Sequence, residues 1–293
     1  MIRTKILIIG SSGLLGSALT PYLKNNNFEI ITINKSNKNS DYILDVSNFD
    51  KTYYLLNKIN PRLILNLSSY TSVEACELNP NIAYLHNTRT VESLVNWIKD
   101  NKSCYLIQIS TDQVYDGHGP HVENKIKLLN YYAMTKYFAE ISAKEVNSGI
   151  FRTNFIGRSK NRSNTSLTDW IYQSCIKNQP IKVLEDVFFT PLAIQTLCDL
   201  IKLIIKKKPL GLYNLGSNNG MSKADLDFLF AKKLKLNLSN MKRIKMKEAT
   251  FFKACRPKDM RMDSSKFEKK FNLKLPNLED EIIKVTRDYK VFN

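Results

Sequence analysis

Apolar and polar residues alternate along this chain in blocks. Lys5–Ile9 is a short apolar run, the mark of a strand buried on both faces. A turn with glycines follows, and Leu14–Leu23 then repeats apolar residues at helical spacing. The β-branched run Glu29–Ile33 predicts a second strand, and Leu63–Leu67, Tyr105–Ile109 and Gly149–Phe151 continue the series. Helical stretches near residues 48–59, 79–100 and 130–147 lie between them. Strand–helix alternation on this scale predicts an α/β fold with a doubly wound parallel sheet. Beyond about residue 155 the pattern loosens. Helices are expected at 167–177, 193–207, 222–235 and 278–288, with a strand at Leu212–Leu215. Residues 1–155 therefore read as a sheet domain and 156–293 as a smaller α/β lobe, with the helix near 193–207 folding back on the first.

Composition adds exclusions. Of 293 residues 43% are hydrophobic and 24% charged, values of an ordinary folded protein. No run reaches the roughly 18 apolar residues of a membrane span. The start, MIRTKILIIG, breaks into glycine and polar residues too soon for a secretory signal. Cys76, Cys104, Cys175, Cys198 and Cys255 stand singly beside only three histidines (His86, His118, His121), so no metal site is predicted and a reducing cytoplasm is expected. The net charge is +17, and it is uneven: residues 1–143 hold 14 basic and 12 acidic residues, residues 144–293 hold 30 and 15. An anionic small substrate or a solvated surface accounts for this excess. Nucleic acid is not expected as a partner, because no aromatic-basic motifs are interleaved. Lys206–Lys208 reads as the exposed end of a helix.

Gly10-Ser11-Ser12-Gly13-Leu14-Leu15-Gly16 sits directly between the first strand and the first helix. Gly10 permits the tight turn, Gly13 lets a diphosphate approach the backbone, and Gly16 lets helix and sheet pack closely. The free N–H groups at the helix start then face phosphate. At the end of the second strand, where an NAD site usually carries an acid, stand Asn34, Lys35 and Ser36. A cation there admits a 2′-phosphate, so NADPH is the expected cofactor, with NADH possible. Asp45 is read either as an acceptor for the adenine amine or as the cap of a helix beginning near Ser47.

Tyr132 and Lys136 form a YxxxK pair on one face of a helix, so that an ammonium stabilises a phenolate and adapts the tyrosine for proton transfer. With 14 tyrosines the spacing is cheap, and Tyr54…Lys58 repeats it. Context separates the two. Tyr132 follows the strand that ends Ile109-Ser110-Thr111-Asp112-Gln113, whose polar residues emerge at the carboxyl edge where such sheets bind ligands. Tyr54 and Lys58 read as surface.

These segments, with Asn66–Glu77, Phe151–Gly157 and Ala254–Phe267, resemble the extended short-chain dehydrogenase/reductase superfamily of Rossmann folds. The likeness is closer to its dTDP-4-dehydrorhamnose reductase family, and it covers nearly the whole chain. It implies that NADPH reduces the C4 keto group of a nucleotide-linked 4-keto-6-deoxy sugar, for glycan or polysaccharide precursors. Tyr132 would supply the proton, Thr111 would hydrogen-bond the carbonyl, and Lys136 would hold the nicotinamide ribose. The implied cofactor contacts are Gly10, Ser12, Gly13, Leu14, Leu15 and Gly16; Asn34, Lys35, Ser36, Asp45 and Val46; and Ser68, Ser69, Tyr70 and Asn87. The implied substrate contacts are Val73, Thr111, Asp112, Gln113, Phe155 and Arg256. Gln113 replaces the family's usual tyrosine, Phe155 its frequent tryptophan, and Ala18 a glutamate that holds magnesium at a dimer interface in some members.

An epimerase on the same scaffold would also use Tyr132 and Lys136. A 4,6-dehydratase would need an Asp-Glu pair after Thr111, where this chain has Asp112-Gln113. The same lineage contains a regulatory subunit of methionine adenosyltransferase that retains fold and motif, so a non-catalytic role is the alternative. The expected assembly is a monomer or a homodimer.

Overall fold

A computed structural model describes residues 5–36, 38–161 and 165–290. Its strands are β1 (Lys5–Ile9), β2 (Glu29–Asn34), β3 (Tyr42–Ile43), β4 (Leu63–Asn66), β5 (Tyr105–Thr111), β6 (Ser148–Thr153), β7 (Phe155–Ile156), β8 (Ile181–Leu184), β9 (Phe188–Phe189), β10 (Leu192–Ala193), β11 (Gly211–Leu215), β12 (Met221–Ser222) and β13 (Met241–Ile244). Its helices are α1 (Leu14–Asn25), α2 (Phe49–Ile59), α3 (Val73–Leu78), α4 (Pro80–Tyr84), α5 (Thr90–Asp100), α6 (Tyr131–Ala143), α7 (Leu167–Ile176), α8 (Ile194–Lys207), α9 (Lys223–Lys233), α10 (Ser265–Phe271) and α11 (Leu278–Lys290).

Seven strands form one sheet in the order β11-β6-β5-β4-β1-β2-β3. β1 pairs in parallel with β2 and β4, and β4 pairs in parallel with β5. This is the doubly wound arrangement that the block pattern predicts. β1 and β4 lie inside the sheet, and their runs of Ile and Leu are buried on both faces. The long helix expected over 79–100 is divided. α4 and α5 are joined by a π-helical turn at Leu85–Arg89. Its wider winding coincides with two contacts to α6, in which Asn87 reaches the Thr135 hydroxyl (3.0 Å) and Thr88 the Thr135 carbonyl (2.8 Å).

Contacts divide the chain into two units. The first comprises residues 1–111, 130–151 and 198–212, the second residues 112–129, 152–197 and 213–293. A single cut at residue 155 therefore differs from the observed division, in which the segment after Thr111 already belongs to the second unit. The first unit's core gathers Leu7, Ile64 and Leu106 from the sheet and Leu94 and Trp97 from α5. In the second unit, Phe230 of α9 packs edge-on against Tyr289 of α11, with ring centroids 5.2 Å apart. Buried Glu281 of α11 accepts bonds from the Ala193 amide (2.6 Å) and the Thr196 hydroxyl (2.8 Å). Three two-stranded pairs complete this unit, β7 with β10, β9 with β12, and β8 with β13. None was expected from the sequence, because strands of two to four residues carry no readable period.

Some of the positive excess is met locally. Arg243 pairs with Asp225 at 2.8 Å and Lys274 with Glu268 at 2.9 Å, while Lys206–Lys208 are exposed at and just after the end of α8. All five cysteines are free thiols. No helix of the described residues is long and apolar enough to cross a membrane.

The closest backbone packing is at Gly16. A Cβ built there would lie 2.3 Å from the Gly10 carbonyl oxygen and 2.7 Å from Ser11 Cα, both backbone atoms with no room to yield. Gly16→Ala should therefore cost about 1–3 kcal/mol, the usual scale of overpacking. In urea titration this appears as a lower midpoint at unchanged slope. A midpoint equal to that of the unsubstituted protein would contradict the packing described.

Candidate active site

The turn after β1 is shaped for close approach. Gly10 has φ +84°, and a Cβ there would meet the Ser68 backbone nitrogen at 2.8 Å. At Gly13 the nearest atom to an added Cβ is the Gly10 oxygen at 3.5 Å, so the space above it is open. Gly13 is also the N-cap of α1, where no side chain caps the helix and no acid lies in the first turn. Open backbone, uncapped N–H groups and the helix dipole together fit a dinucleotide diphosphate. Leu15 is buried beneath the turn. Asn34 supports the loop: its carboxamide accepts bonds from the Ser12 amide (3.2 Å) and hydroxyl (3.1 Å) and donates to the Ser11 hydroxyl (2.7 Å).

Beyond Asn34 a cavity of about 60 Å³ is lined by Gly10, Lys35, Asp45, Val46, Ser68 and His86, among others. The Lys35 ammonium stands 2.8 Å from the Asp45 carboxylate and 3.2 Å from the His86 ring nitrogen. Burial pushes the Asp45 carboxyl up, but hydrogen bonds from Lys35 and Ser47 outweigh it and hold the group at about 2. Burial and the Lys35 charge keep the His86 imidazole below its ordinary range. Asp45 does not cap α2. That helix begins at Phe49, and Asn48 caps it by accepting the Lys51 amide at 3.0 Å. Asp45 closes the preceding turn onto Ser47 instead, and Ser36 is exposed beside the cavity.

After β4, the Ser68 amide donates to Asn66 at 3.1 Å, and Asn66 is held by Gln108 of β5 at 2.8 Å. Buried Asn87 collects the next two residues. Its side-chain oxygen accepts from the Ser69 hydroxyl (2.9 Å) and the Tyr70 amide (2.7 Å), and its nitrogen donates to Thr135. Its carboxamide thus joins the Ser69–Tyr70 loop to α6. Val73 is the buried first residue of α3.

Thr111 ends β5, and α6 opens at Tyr131, capped by Asn130 through the Ala133 amide at 2.9 Å. Tyr132 and Lys136 are both buried on this helix, one turn apart. Lys136 is 3% exposed, and its ammonium donates to the Ile109 carbonyl of β5 at 2.8 Å. Burial lowers its pKa to about 8, and the charge of Glu140 acts against that shift. Glu140, a turn further on, is itself buried and accepts the Ser110 hydroxyl at 2.5 Å. Tyr54, the other match to the spacing, is 75% exposed, the surface position the sequence predicts for it. Glu140 was not foreseen, although its place four residues after Lys136 on the same face would have indicated it.

The second unit carries the remaining predicted residues. Asp112 and Gln113 lie in the 3₁₀ turn Asp112–Val114. The Asp112 carboxylate accepts Asn154 Nδ2 at 2.7 Å, and Gln113 Nε2 reaches the Met260 sulfur at 2.9 Å. Phe155 is half-buried in β7. The Arg256 guanidinium lies over the Phe252 ring, 4.7 Å from its centroid. Phe252 lines a cavity of about 880 Å³ whose wall also includes Trp170, Pro180, Lys223, Asp227 and Phe251. Burial lowers the Lys223 pKa; Asp112 and Asp227 oppose that and Arg256 adds to it, so these four charges share one neighbourhood. Sequence reasoning missed Asn154, Lys223 and Asp227. A Lys and an Asp four apart on a helix read as a solvated pair, and nothing in the spacing signals a cavity.

The RmlD substrate binding domain model matches residues 4–291. A dTDP-4-dehydrorhamnose reductase of Shigella flexneri is 29% identical, over 93% of this chain and 93% of that protein. The crystal structure of a dTDP-4-dehydrorhamnose reductase orthologue from Clostridium acetobutylicum superimposes with a TM-score of 0.88 at 21% identity, covering 98% of this chain and all of that one. A dTDP-4-dehydrorhamnose reductase from Bacillus anthracis, solved in complex with NADP, gives 0.89 at 20% identity with the same coverage. From Gly10 to the Arg256 segment, the motif-bearing residues fall within one continuous match, and the chain belongs to the RmlD substrate-binding domain family.

Proposed function

We propose that this chain is an NADPH-dependent oxidoreductase that reduces the C4 keto group of a nucleotide-linked 4-keto-6-deoxy sugar. The observation that carries this reading is the buried Tyr132–Lys136 pair on α6, with the ammonium fixed to the Ile109 carbonyl near the end of strand β5. NADPH supplies the hydride to C4. Tyr132 donates the proton that completes the hydroxyl, and the Lys136 charge stabilises the phenolate left behind. Thr111 donates a hydrogen bond to the keto oxygen and orients it. Gly10–Gly16 hold the diphosphate of the cofactor, with Asn34 and Asn87 as positioning residues for the loops beneath it. Lys35 meets the 2′-phosphate, and Arg256 and Lys223 meet the diphosphate of the sugar nucleotide. The named relatives support the substrate class. Cofactor oxidation with a panel of dTDP-, UDP- and GDP-4-keto-6-deoxy sugars, with NMR of the product, tests the reading. No oxidation with any of them would favour the regulatory alternative.

Three substitutions follow. Tyr132→Phe should lower turnover by about 10²–10⁴-fold, the scale of a positioned acid, with little loss of cofactor affinity. Turnover near that of the unsubstituted enzyme would remove Tyr132 from the chemistry, and Tyr54→Phe serves as the silent control. NADPH should bind more tightly than NADH in titration, and Lys35→Glu should narrow or reverse that preference by placing a second carboxylate beside Asp45. An NADH preference in the unsubstituted protein would overturn the reading of this turn. Arg256→Ala should raise the substrate Michaelis constant more than about tenfold, since a charge-assisted bond is worth roughly 1.5–3 kcal/mol. The NADPH constant should hardly move. Arg243→Ala, whose side chain is engaged with Asp225, is the control, and equal effects from both would mean diffuse electrostatics.

A further inference from the structure

Asp227 lies on α9 one turn beyond Lys223, in the wall of the 880 Å³ cavity. It is 2% exposed, and its Oδ1 has no hydrogen-bond partner. Leaving a buried carboxyl oxygen unpaired destabilises a fold, so an acid in this position is a liability unless something outside the chain pairs with it. Its surroundings indicate what that would be. Trp170 and Phe251 line the same cavity with 39% and 57% of their surfaces exposed, flat apolar faces on which a planar ring stacks. Lys223, at the same wall, senses both Arg256 and Asp112, so a cation stands one helical turn from the orphaned acid.

We propose that Asp227 is a specificity residue that hydrogen-bonds the edge of the nucleobase of the substrate, with the ring stacked on the cavity aromatics and the diphosphate turned toward Lys223. This rests on the functional reading above and extends it to a residue that the sequence did not indicate. Burial raises the Asp227 carboxyl well above the usual carboxylate range, against the pull of Lys223. In its neutral form the group offers one O–H donor beside one C=O acceptor. A thymine edge answers both: its N3–H donates to the acid carbonyl, and its O4 accepts from the acid hydroxyl.

The test is calorimetric binding of dTDP and of its N3-methyl derivative, with the melting temperature of each variant measured in parallel. The unsubstituted protein should bind dTDP at least about tenfold more tightly than the N3-methyl compound, the scale of one lost buried bond. Asp227→Ala should lose that discrimination and about tenfold in dTDP affinity, yet melt no lower than the parent, because an unpaired buried carboxyl is gone. Asp227→Asn presents the same donor–acceptor pair in a neutral amide and should keep both affinity and discrimination, which leaves the proposal testable should the alanine variant fail to fold. Equal binding of the two ligands by the unsubstituted protein, or unchanged dTDP affinity in Asp227→Ala, overturns the proposal alone. Failure of the unsubstituted protein to bind dTDP at all overturns the functional reading and the proposal with it.

Discussion

Lys136 carries its ammonium into the interior of the first unit, and the surroundings of that charge decide how the carboxyl end of β5 meets α6. Removing an ammonium from water costs several kcal/mol even after relaxation. The chain offsets this with the Ile109 carbonyl at 2.8 Å and the nearby Glu140 carboxyl, which is in turn fixed by Ser110. Strand and helix are therefore locked in register by polar contacts as well as by packing. The same helix is also held at Thr135, which Asn87 and Thr88 bind from a π-helical turn. Tyr132 lies one turn before both anchorages on the same helix, so its position is set by polar contacts made further along α6.

The second unit solves a different electrostatic problem. It holds most of the positive excess, and where that charge is paired, as at Arg243–Asp225, it forms surface bridges of small individual worth. The informative charges are the half-buried ones. Lys223 and Arg256 repel each other and are tempered first by Asp112. A dianionic diphosphate would relieve that repulsion, which is how a cluster costly to the free protein becomes useful on the proposed function.

Legibility in the sequence followed the strength of the local physical signal. Six of the seven sheet strands were readable because the central ones are continuous apolar runs and the helices between them have a clear period, whereas β3, two residues long at the edge, carries no readable period. The glycine turn was readable because only glycine suits φ +84° at Gly10 and the backbone contact at Gly16. The cap of α2 was misplaced because Asp45 and Asn48 are both good capping residues, and the competition is settled by the turn that Asp45 closes with Ser47. Asn34 and Asn87 were named for their positions, but their use as loop supports depends on partners distant in sequence. His86, Lys223 and Asp227 gave no signal, since a cavity wall assembled from separate elements leaves no spacing to read.

On the proposed function this chain delivers a hydride to a sugar carbonyl. That delivery is tested most directly by incubating the enzyme with a dTDP-4-keto-6-deoxy sugar and NADPH deuterated at the transferring position, and locating the label by NMR. Deuterium is expected at C4 of the sugar, in step with cofactor oxidised. Unlabelled sugar, or label at any other carbon, would contradict it.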